Sequence, residues 1–244
     1  MNESALRLDG IRAEASGKRI LDGLDLAIGA GQVRALIGLN GAGKTTVLRV
    51  ALGMIRPASG TVHVLGHDLS HADRSVWHRV GHMVESAFCY PELTPRQNIE
   101  NSARLHGAAL APARHEALRL AEILGLMPWF DTPARRLSLG SRQKVGLIAA
   151  MVHTPDLLLL DEPTNGLDPL AVLGFRTEID AIARRGGSVL VTSHHFDELA
   201  RISHTVDVLH TGRIIAEIDP RSADLERTFF TIILTHDQTE GASA

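Results

Sequence analysis

Residues 38–46 constrain this chain more than any other part of its sequence. They read G-L-N-G-A-G-K-T-T and match the pattern G-x-x-x-x-G-K-S/T, in which a glycine-rich turn wraps phosphates and a helix follows at once. Glycines let backbone N–H groups approach phosphate oxygens, and the helix adds its positive dipole end. The lysine supplies a cation and the next threonine a hydroxyl ligand for Mg²⁺. The predicted Mg-nucleotide site consists of Gly38, Asn40, Gly41, Gly43, Lys44, Thr45 and Thr46.

The segments around this loop predict an α/β fold. A strand-like apolar stretch, 33–37, precedes the loop, and helix formers follow it. This order of strand, loop and helix disfavours the alternative, a glycine-rich turn followed by Lys-Thr by chance. The apolar run 157–160 is typical of a parallel strand buried on both faces, whereas parts of residues 6–28 alternate in polarity. Residues from 94 to about 126 have helical spacing. We expect a P-loop NTPase core with a mainly parallel sheet, an antiparallel β-subdomain and an inserted α-helical subdomain.

The composition is that of a globular chain with a sizeable core. Of its 244 residues, 44% are hydrophobic and 22% are charged. The net charge of −3 lacks the basic surplus of strong nucleic-acid binders, so we expect no nucleic acid as partner. We expect neither a secretory signal nor a membrane span, since the apolar stretches fall short of the roughly 20 residues that cross a bilayer. The single cysteine, Cys89, fits a reducing cytosol.

Three later motifs make residues 4–220 resemble the nucleotide-binding subunit of an ABC transporter. Residues 137–143 resemble the family signature, with Leu139 replacing a usual glycine and Ser141 a usual glutamine. Residues 163–169 resemble the D-loop, and 192–194 the switch-histidine motif. The resemblance implies an ABC ATPase domain over 1–220, with core segments at about 1–85 and 151–220 and a helical insertion at about 86–150. Residues 221–244 are a C-terminal extension, in which 223–234 are expected to be a short helix or strand and the last ten residues to be loose.

In that family two subunits pair head to tail, and each ATP lies between one subunit's phosphate loop and the other's signature. The resemblance implies that Ser138 and the Gly140 N–H meet the γ-phosphate bound on the partner chain. Asp168 of the D-loop joins the nucleotide contacts. A Ser-Leu-Gly turn that merely caps a helix is the alternative for this stretch.

The resemblance also assigns the hydrolytic chemistry. Asp161 would hold Mg²⁺ through its hydration shell, and Glu162 would orient or deprotonate the attacking water. His194 would contact the γ-phosphate, since it aligns better after the strand than His195 does. An exposed turn or helix start is the alternative for the two adjacent carboxylates, and the D-loop that follows them disfavours it.

Glu85 departs from the family, which usually has glutamine at this position. Together with the Leu-Ser-Leu-Gly signature it resembles the bacitracin- and lantibiotic-resistance group of ABC exporters. In the family this glutamine contacts Mg²⁺, so the resemblance implies that Glu85 is a metal ligand beside Thr45 and Asp161. A carboxylate can ligate Mg²⁺ but, when ionised, cannot donate a hydrogen bond as glutamine does. An ordinary surface glutamate is the alternative. Phe88 and Tyr90 are expected either in a groove for the membrane subunit or in aromatic core packing.

Two further features concern adenine and metals. The family commonly stacks an aromatic side chain on adenine near Ala15 or Ser16, but no aromatic residue precedes Trp77, so discrimination between ATP and GTP should be weak. Five histidines, at 63, 67, 71, 78 and 82, have spacings that suit a metal site only on a helix. Because residues 61–65 and 80–84 have strand patterns, we expect most of these histidines to be surface or partner-facing instead.

The sequence therefore predicts an ATPase subunit that binds ATP and Mg²⁺ and pairs with a second ATPase subunit, most simply as a homodimer. Separate transmembrane permease subunits would hold it at the inner face of the cell membrane, and the expected function is export of an antimicrobial or other amphiphilic compound. The alternatives are a soluble ABC ATPase acting on ribosomes or DNA, and a P-loop enzyme without a paired site. The chain lacks the second cassette or long coiled-coil insertion usual for the ribosome and DNA class.

Overall fold

A computed structural model of the chain describes residues 4–15, 17–222 and 224–241. The strands are β1 (Ser4–Ala15), β2 (Lys18–Gly29), β3 (Val33–Ile37), β4 (Ser59–Val64), β5 (His67–Asp68), β6 (Val80–Met83), β7 (Leu157–Asp161), β8 (Ser188–Thr192), β9 (Thr205–His210) and β10 (Arg213–Ile218). The α-helices are α1 (Lys44–Ala51), α2 (Pro95–Leu105), α3 (Leu110–Ile123), α4 (Leu139–Met151), α5 (Pro169–Arg184), α6 (Phe196–Ile202) and α7 (Leu225–Gly241). Short 3₁₀ turns occupy Arg74–Arg79, Met127–Trp129 and Ala134–Arg136.

The strands of the described residues form two sheets. One is antiparallel, with the order β2-β1-β4-β5. The other has the order β10-β9-β3-β8-β7-β6 and is parallel except for its edge strand β10. Helices α2, α3 and α4 lie between β6 and β7 in the chain. The predicted fold class, with its mainly parallel core sheet, antiparallel sheet and helical insert, is confirmed.

Both faces of the parallel sheet are buried, and successive residues of its strands point to opposite faces. In β7, Leu158 and Leu160 pack with residues of α2 to α5 and α7, whereas Leu157 and Leu159 pack with α1 and the antiparallel sheet. All four leucines are fully buried. This explains why the strand is continuously apolar, and it fixes where its polar carboxyl end emerges.

Three parallel strands end side by side at one edge of this sheet. β3 leads directly into the phosphate loop, and the last residue of β7, Asp161, pairs in register with Thr192, the last residue of β8. In such a sheet ligands bind outside the carboxyl ends of the strands. The fold thus brings the predicted loop, acidic pair and switch histidine to one edge.

The C-terminal extension differs from the expectation. Residues 225–241 form the single helix α7, so the prediction of loose residues is wrong for 235–241, while Ala223 and residues 242–244 lie outside the described residues. Phe229 and Ile233 anchor the helix because they pack into the core cluster beneath the parallel sheet. Within the described ranges, none of the helices has the length and apolar character needed to cross a membrane.

Candidate active site

Glycines shape both ends of the phosphate loop. A Cβ on Gly38 would lie 2.4 Å from the carbonyl oxygen of Leu209, so only glycine fits where the loop leaves β3. Gly43 stands before α1 with φ of 110°, a left-handed conformation that other residues rarely adopt. These two glycines therefore fix the conformation of the loop between the end of β3 and the start of α1.

Thr45 and Asp161 meet directly at this edge. The Thr45 hydroxyl donates to Oδ2 of Asp161 at 2.7 Å, and the Thr192 hydroxyl donates to Oδ1 at 2.5 Å. Lys44 folds back over the loop and donates to the carbonyl oxygen of Gly38 at 2.7 Å. The hydroxyl and carboxylate oxygens of Thr45 and Asp161 are the hard ligands that Mg²⁺ prefers, so the residues present fit this ion.

Glu162 and His194 form a second pair beside the first. Nδ1 of His194 lies 2.9 Å from Oε2 of Glu162. The Glu162 backbone has φ of 48°, in the left-handed region, and is held there by hydrogen bonds from its N–H to the Thr192 carbonyl and hydroxyl oxygens, both at 3.1 Å. The side chain of Gln143 adds bonds to the carbonyl oxygens of Glu162 and Pro163. Strained backbone that its neighbours hold in place is common at functional sites.

The loop and the acidic pair line a cleft of about 390 Å³. Its walls are Ile20, Asn40, Gly41, Gly43, Lys44, Thr45, Thr46, Asp161 and Glu162. Gly38 supports this cleft through its contact with β9 rather than lining it. Sequence reasoning missed Ile20, which reaches the cleft from β2, and did not include Thr192 in the site, although its place at a strand end was a signal.

The signature and the D-loop contact each other, away from this cleft. Ser138 caps α4, since its hydroxyl oxygen accepts from the Ser141 N–H at 3.1 Å. A Cβ on Gly140 would lie 2.2 Å from the carbonyl oxygen of Gly166, so the D-loop requires glycine there. Neither Ser138 nor Gly140 lines the cleft that the phosphate loop forms in the same chain.

Asp168 is fixed at the end of the D-loop. It accepts from Nζ of Lys144 at 2.5 Å and from the Ala171 N–H at 2.9 Å, which caps α5. The hydrogen bond from the Lys144 ammonium lowers the pKa of the Asp168 carboxyl, and the bond from the Ala171 N–H lowers it further. The ionised carboxylate thus joins α4 to α5.

Glu85 lies two residues after the end of β6 and has a backbone φ of 69°. Its carboxylate forms an ion pair with Arg49 of α1, and its side chain is half exposed. It does not line the cleft with Thr45 and Asp161. Ser16, at the position expected to lie near adenine, falls outside the described residues.

Sequence comparison places most of this site within a known family. Residues 21–165 match the family model described as ABC transporter. The daunorubicin resistance ATP-binding protein DrrA3 of Streptomyces coeruleorubidus is 36% identical, over 89% of this chain and 69% of its own length. The bacitracin transport ATP-binding protein BcrA of Bacillus licheniformis is 34% identical, over 82% of this chain and 65% of its own length. The chain thus spans about two thirds of the length of both relatives.

Structure comparison gives the same result. A solved structure described as the ATP-binding subunit of an ABC transporter superposes with a TM-score of 0.84 at 25% identity. The superposition covers 94% of each chain.

Proposed function

Because this chain belongs to the ABC transporter family as an ATP-binding subunit, we propose that it supplies half of a two-chain ATPase that drives export through separate membrane subunits. Membership of this family makes it an ATPase, and family members work as dimers with separate permease subunits. The observation that carries the proposal is the pairing of Glu162 with His194 next to the pairing of Thr45 with Asp161, at one sheet edge.

The residues of the cleft divide the chemistry between them. Gly38 and Gly43 shape the loop whose N–H groups bind the phosphates. The Lys44 ammonium, which donates to the Gly38 carbonyl oxygen in this structure, would donate to an outer phosphate when nucleotide binds. Thr45 and Asp161 would hold Mg²⁺, which supplies neutralisation of phosphate charge when it is bound. Glu162 accepts a proton from the attacking water or orients it, while His194 holds the carboxylate in place. We propose that His194 also contacts the γ-phosphate of the bound nucleotide.

The exposed surface beside the signature supports a site shared by two chains. Leu139 at the start of α4 is 69% exposed and Leu170 after the D-loop is 77% exposed, and the contact of Gly140 with Gly166 brings these two segments together. Large apolar side chains at such exposure are typical of surfaces that a partner covers. We propose that a second copy of this chain covers them, so that Ser138, Gly140 and Asp168 complete the partner's nucleotide site.

We propose that a groove between the core and the inserted helices receives the membrane subunit. It has a volume of about 360 Å³, and Phe88, Tyr90 and Leu105 are among the side chains that line it. Phe88 is 73% exposed and meets Tyr90 edge to face, with ring centroids 5.1 Å apart, so core packing is not its role. The buried Asn98 fixes the loop, since it accepts from the Tyr90 N–H at 2.7 Å and donates to the Tyr90 carbonyl oxygen. Exposed aromatic residues on an anchored loop suit a protein partner.

Glu85 connects this groove with the phosphate loop. Its neighbours Val84 and Ser86 line the groove, while its carboxylate pairs with Arg49 of the helix that begins at Lys44. We propose that Glu85 is a Mg²⁺ ligand with Thr45 and Asp161, and that its pair with Arg49 gives the carboxylate a second position. The Glu85 carboxylate would then bind Arg49 without nucleotide and Mg²⁺ with nucleotide, and its movement between them would change the position of the groove residues Val84 and Ser86.

We propose an antimicrobial or other amphiphilic compound as the exported cargo. The relatives at 36% and 34% identity are named for daunorubicin resistance and bacitracin transport, and both names concern antibiotics. The path for the cargo would lie in the membrane subunits, which would hold this chain at the inner face of the membrane.

Purification from detergent-solubilised membranes of the native host tests this proposal. We expect a multi-span membrane protein to co-purify, and the Phe88→Asp variant, which places a charge in the groove, to lose it while still binding ATP. Glu92→Asp, on an exposed residue of the same loop, is the control. Co-purification of ribosomes or of DNA in place of a membrane protein would contradict the proposed transport function.

A further inference from the structure

Helix α7 meets strand β9 through three side chains that are able to bind a metal ion. Nε2 of His210, the last residue of β9, lies 2.7 Å from Oδ1 of Asp237, and the ring centroids of His210 and His236 are 5.5 Å apart. One ligand atom from each residue lies within 4.8 Å of the other two. His210 is buried, His236 is partly buried and Asp237 is exposed, so the group is closed towards the core and open towards solvent.

We propose that His210, His236 and Asp237 bind a divalent transition-metal ion of the Zn²⁺ class. Two imidazole nitrogens and one carboxylate oxygen are a common ligand set for Zn²⁺, and they leave one position for water. Imidazole suits Zn²⁺, Ni²⁺ and Cu²⁺, whereas Mg²⁺ prefers oxygen ligands. The site therefore differs in selectivity from the Mg²⁺ site of the nucleotide cleft.

The geometry requires shifts of about 1.5 Å or less in the positions of the three ligand atoms. Tetrahedral Zn²⁺ with bonds of about 2.0–2.1 Å places its ligand atoms about 3.3 Å apart. Separations of up to 4.8 Å must therefore shorten by at most about 1.5 Å, whereas the 2.7 Å contact between Nε2 of His210 and Oδ1 of Asp237 must lengthen by about 0.6 Å and release its shared proton to solvent. His236 and Asp237 are adjacent in the last part of α7, and the exposed Asp237 side chain already contacts His210, so a change of its rotamer adjusts its position between the two imidazoles. The buried His210 provides the fixed point of the site.

A bound ion would fasten the C-terminal helix to the strand that supports the phosphate loop. His210 follows Leu209, whose carbonyl oxygen lies against Gly38, and β9 pairs with β3 directly before the loop. The turn after β9 also contacts β2 close to the cleft. The carbonyl oxygen of Gly212 accepts a hydrogen bond from the N–H of Asp22, which lies two residues after the cleft residue Ile20. The residues of α7 that pack into the core, such as Phe229 and Ile233, precede the site, so the ion would order the last turns of the helix.

Titration of the full-length, tag-free chain with Zn²⁺ in excess Mg²⁺ tests the site, with isothermal calorimetry as the readout. We expect one tight ion per chain and binding at least about 100-fold weaker in Asp237→Asn and His236→Ala. Asp237→Asn alters an exposed residue and keeps its size, so its fold should be intact. His115→Ala, on an exposed histidine of α3, is the control for weak surface binding and should leave the tight site unchanged.

Two further readouts are independent of ATP hydrolysis. Co²⁺ bound in place of Zn²⁺ should give the visible absorption of a tetrahedral site in the wild-type chain and not in Asp237→Asn. Zn²⁺ should slow hydrogen exchange of the α7 amides in the wild-type chain only. Absence of tight binding, or equal binding by wild type, Asp237→Asn and His236→Ala, would overturn the proposal.

Discussion

Nδ1 of His194 lies 2.9 Å from Oε2 of Glu162, although 31 residues separate them in the chain. The contact arises because β7 and β8 are neighbours in the parallel sheet and each residue follows closely after the end of its strand. A histidine so placed orients the carboxylate and keeps it beside the phosphate loop. Through this contact, a change in the position of His194, the proposed γ-phosphate sensor, would also move Glu162, the proposed base.

Glu162→Gln should bind ATP but lose most hydrolysis. Glutamine keeps the size of the side chain and its contact with His194 but cannot accept a proton, so turnover should fall by roughly 10²–10⁴-fold. Phosphate release and equilibrium nucleotide binding measure the two effects. Glu122→Gln, on an exposed residue of α3, is the matched control. Hydrolysis at the wild-type rate in Glu162→Gln would remove this residue from the catalytic role.

Glu85→Gln should leave ATP binding intact but change hydrolysis or its coupling to transport. The substitution removes the charge that pairs with Arg49 and restores a hydrogen-bond donor two residues after the end of β6. ATP affinity and ATPase rate are measured with the chain alone and in its membrane complex. Glu92→Gln is the control on the following loop. If hydrolysis and coupling both stay at wild-type values, Glu85 has no special role.

The stability of the fold should fall as the pH is lowered from 7.5 to 5.5. Burial and the neighbouring charge of His106 lower the pKa of His153 to about 3, and the two rings stack with centroids 3.9 Å apart. A pKa that is lower in the folded than in the unfolded chain favours unfolding by acid, because the unfolded state binds the proton first. The loss begins below the unfolded value of about 6.5 and continues to about pH 3.

Over that range His153 alone should cost about 1.4 kcal/mol of the free energy of unfolding. Urea unfolding at both pH values measures the change. His153→Gln cannot titrate and should reduce the difference between the two pH values, whereas the same dependence in both proteins would refute the assignment.

ATP and GTP should compete for the cleft with similar affinities. No aromatic residue precedes Trp77 to stack on adenine, and the side chain that lines the cleft from β2 is the aliphatic Ile20. Since base stacking on an aromatic ring contributes about 1–3 kcal/mol, its absence leaves the phosphates to supply most of the binding. We expect dissociation constants within about tenfold of each other. A clear preference for ATP in competition binding would contradict this expectation.

The sequence predicted the features that depend on local pattern. The phosphate loop requires glycine at two positions, and the buried strand of four leucines requires cover on both faces, so both were visible without coordinates. The predicted family and fold class are confirmed. The contacts of Ile20, Thr192 and Arg49 were not predicted, because each joins segments that are distant in the chain. Of the three, Thr192 alone had a signal in the sequence, its place at the end of a strand.

Helix α7 shows a different limit of sequence reasoning. Its threonines, such as Thr231 and Thr235, are β-branched and favour strands on propensity. In the helix each of these two hydroxyls donates to the carbonyl oxygen four residues earlier, and Phe229 packs into the core. Packing thus decides the structure of the extension where propensity favours the alternative.

The most direct measurement for the central claim is the mass of the Glu162→Gln chain in solution with ATP and Mg²⁺. If each nucleotide site takes Ser138 and Gly140 from a second chain, light scattering should show twice the chain mass of 26.3 kDa with ATP and the single mass without it. Adding Ser138→Arg, which places a large charge at the proposed partner contact, should keep ATP binding but abolish the dimer. A single mass with ATP bound, or an unchanged dimer in the double variant, would contradict a site shared by two chains.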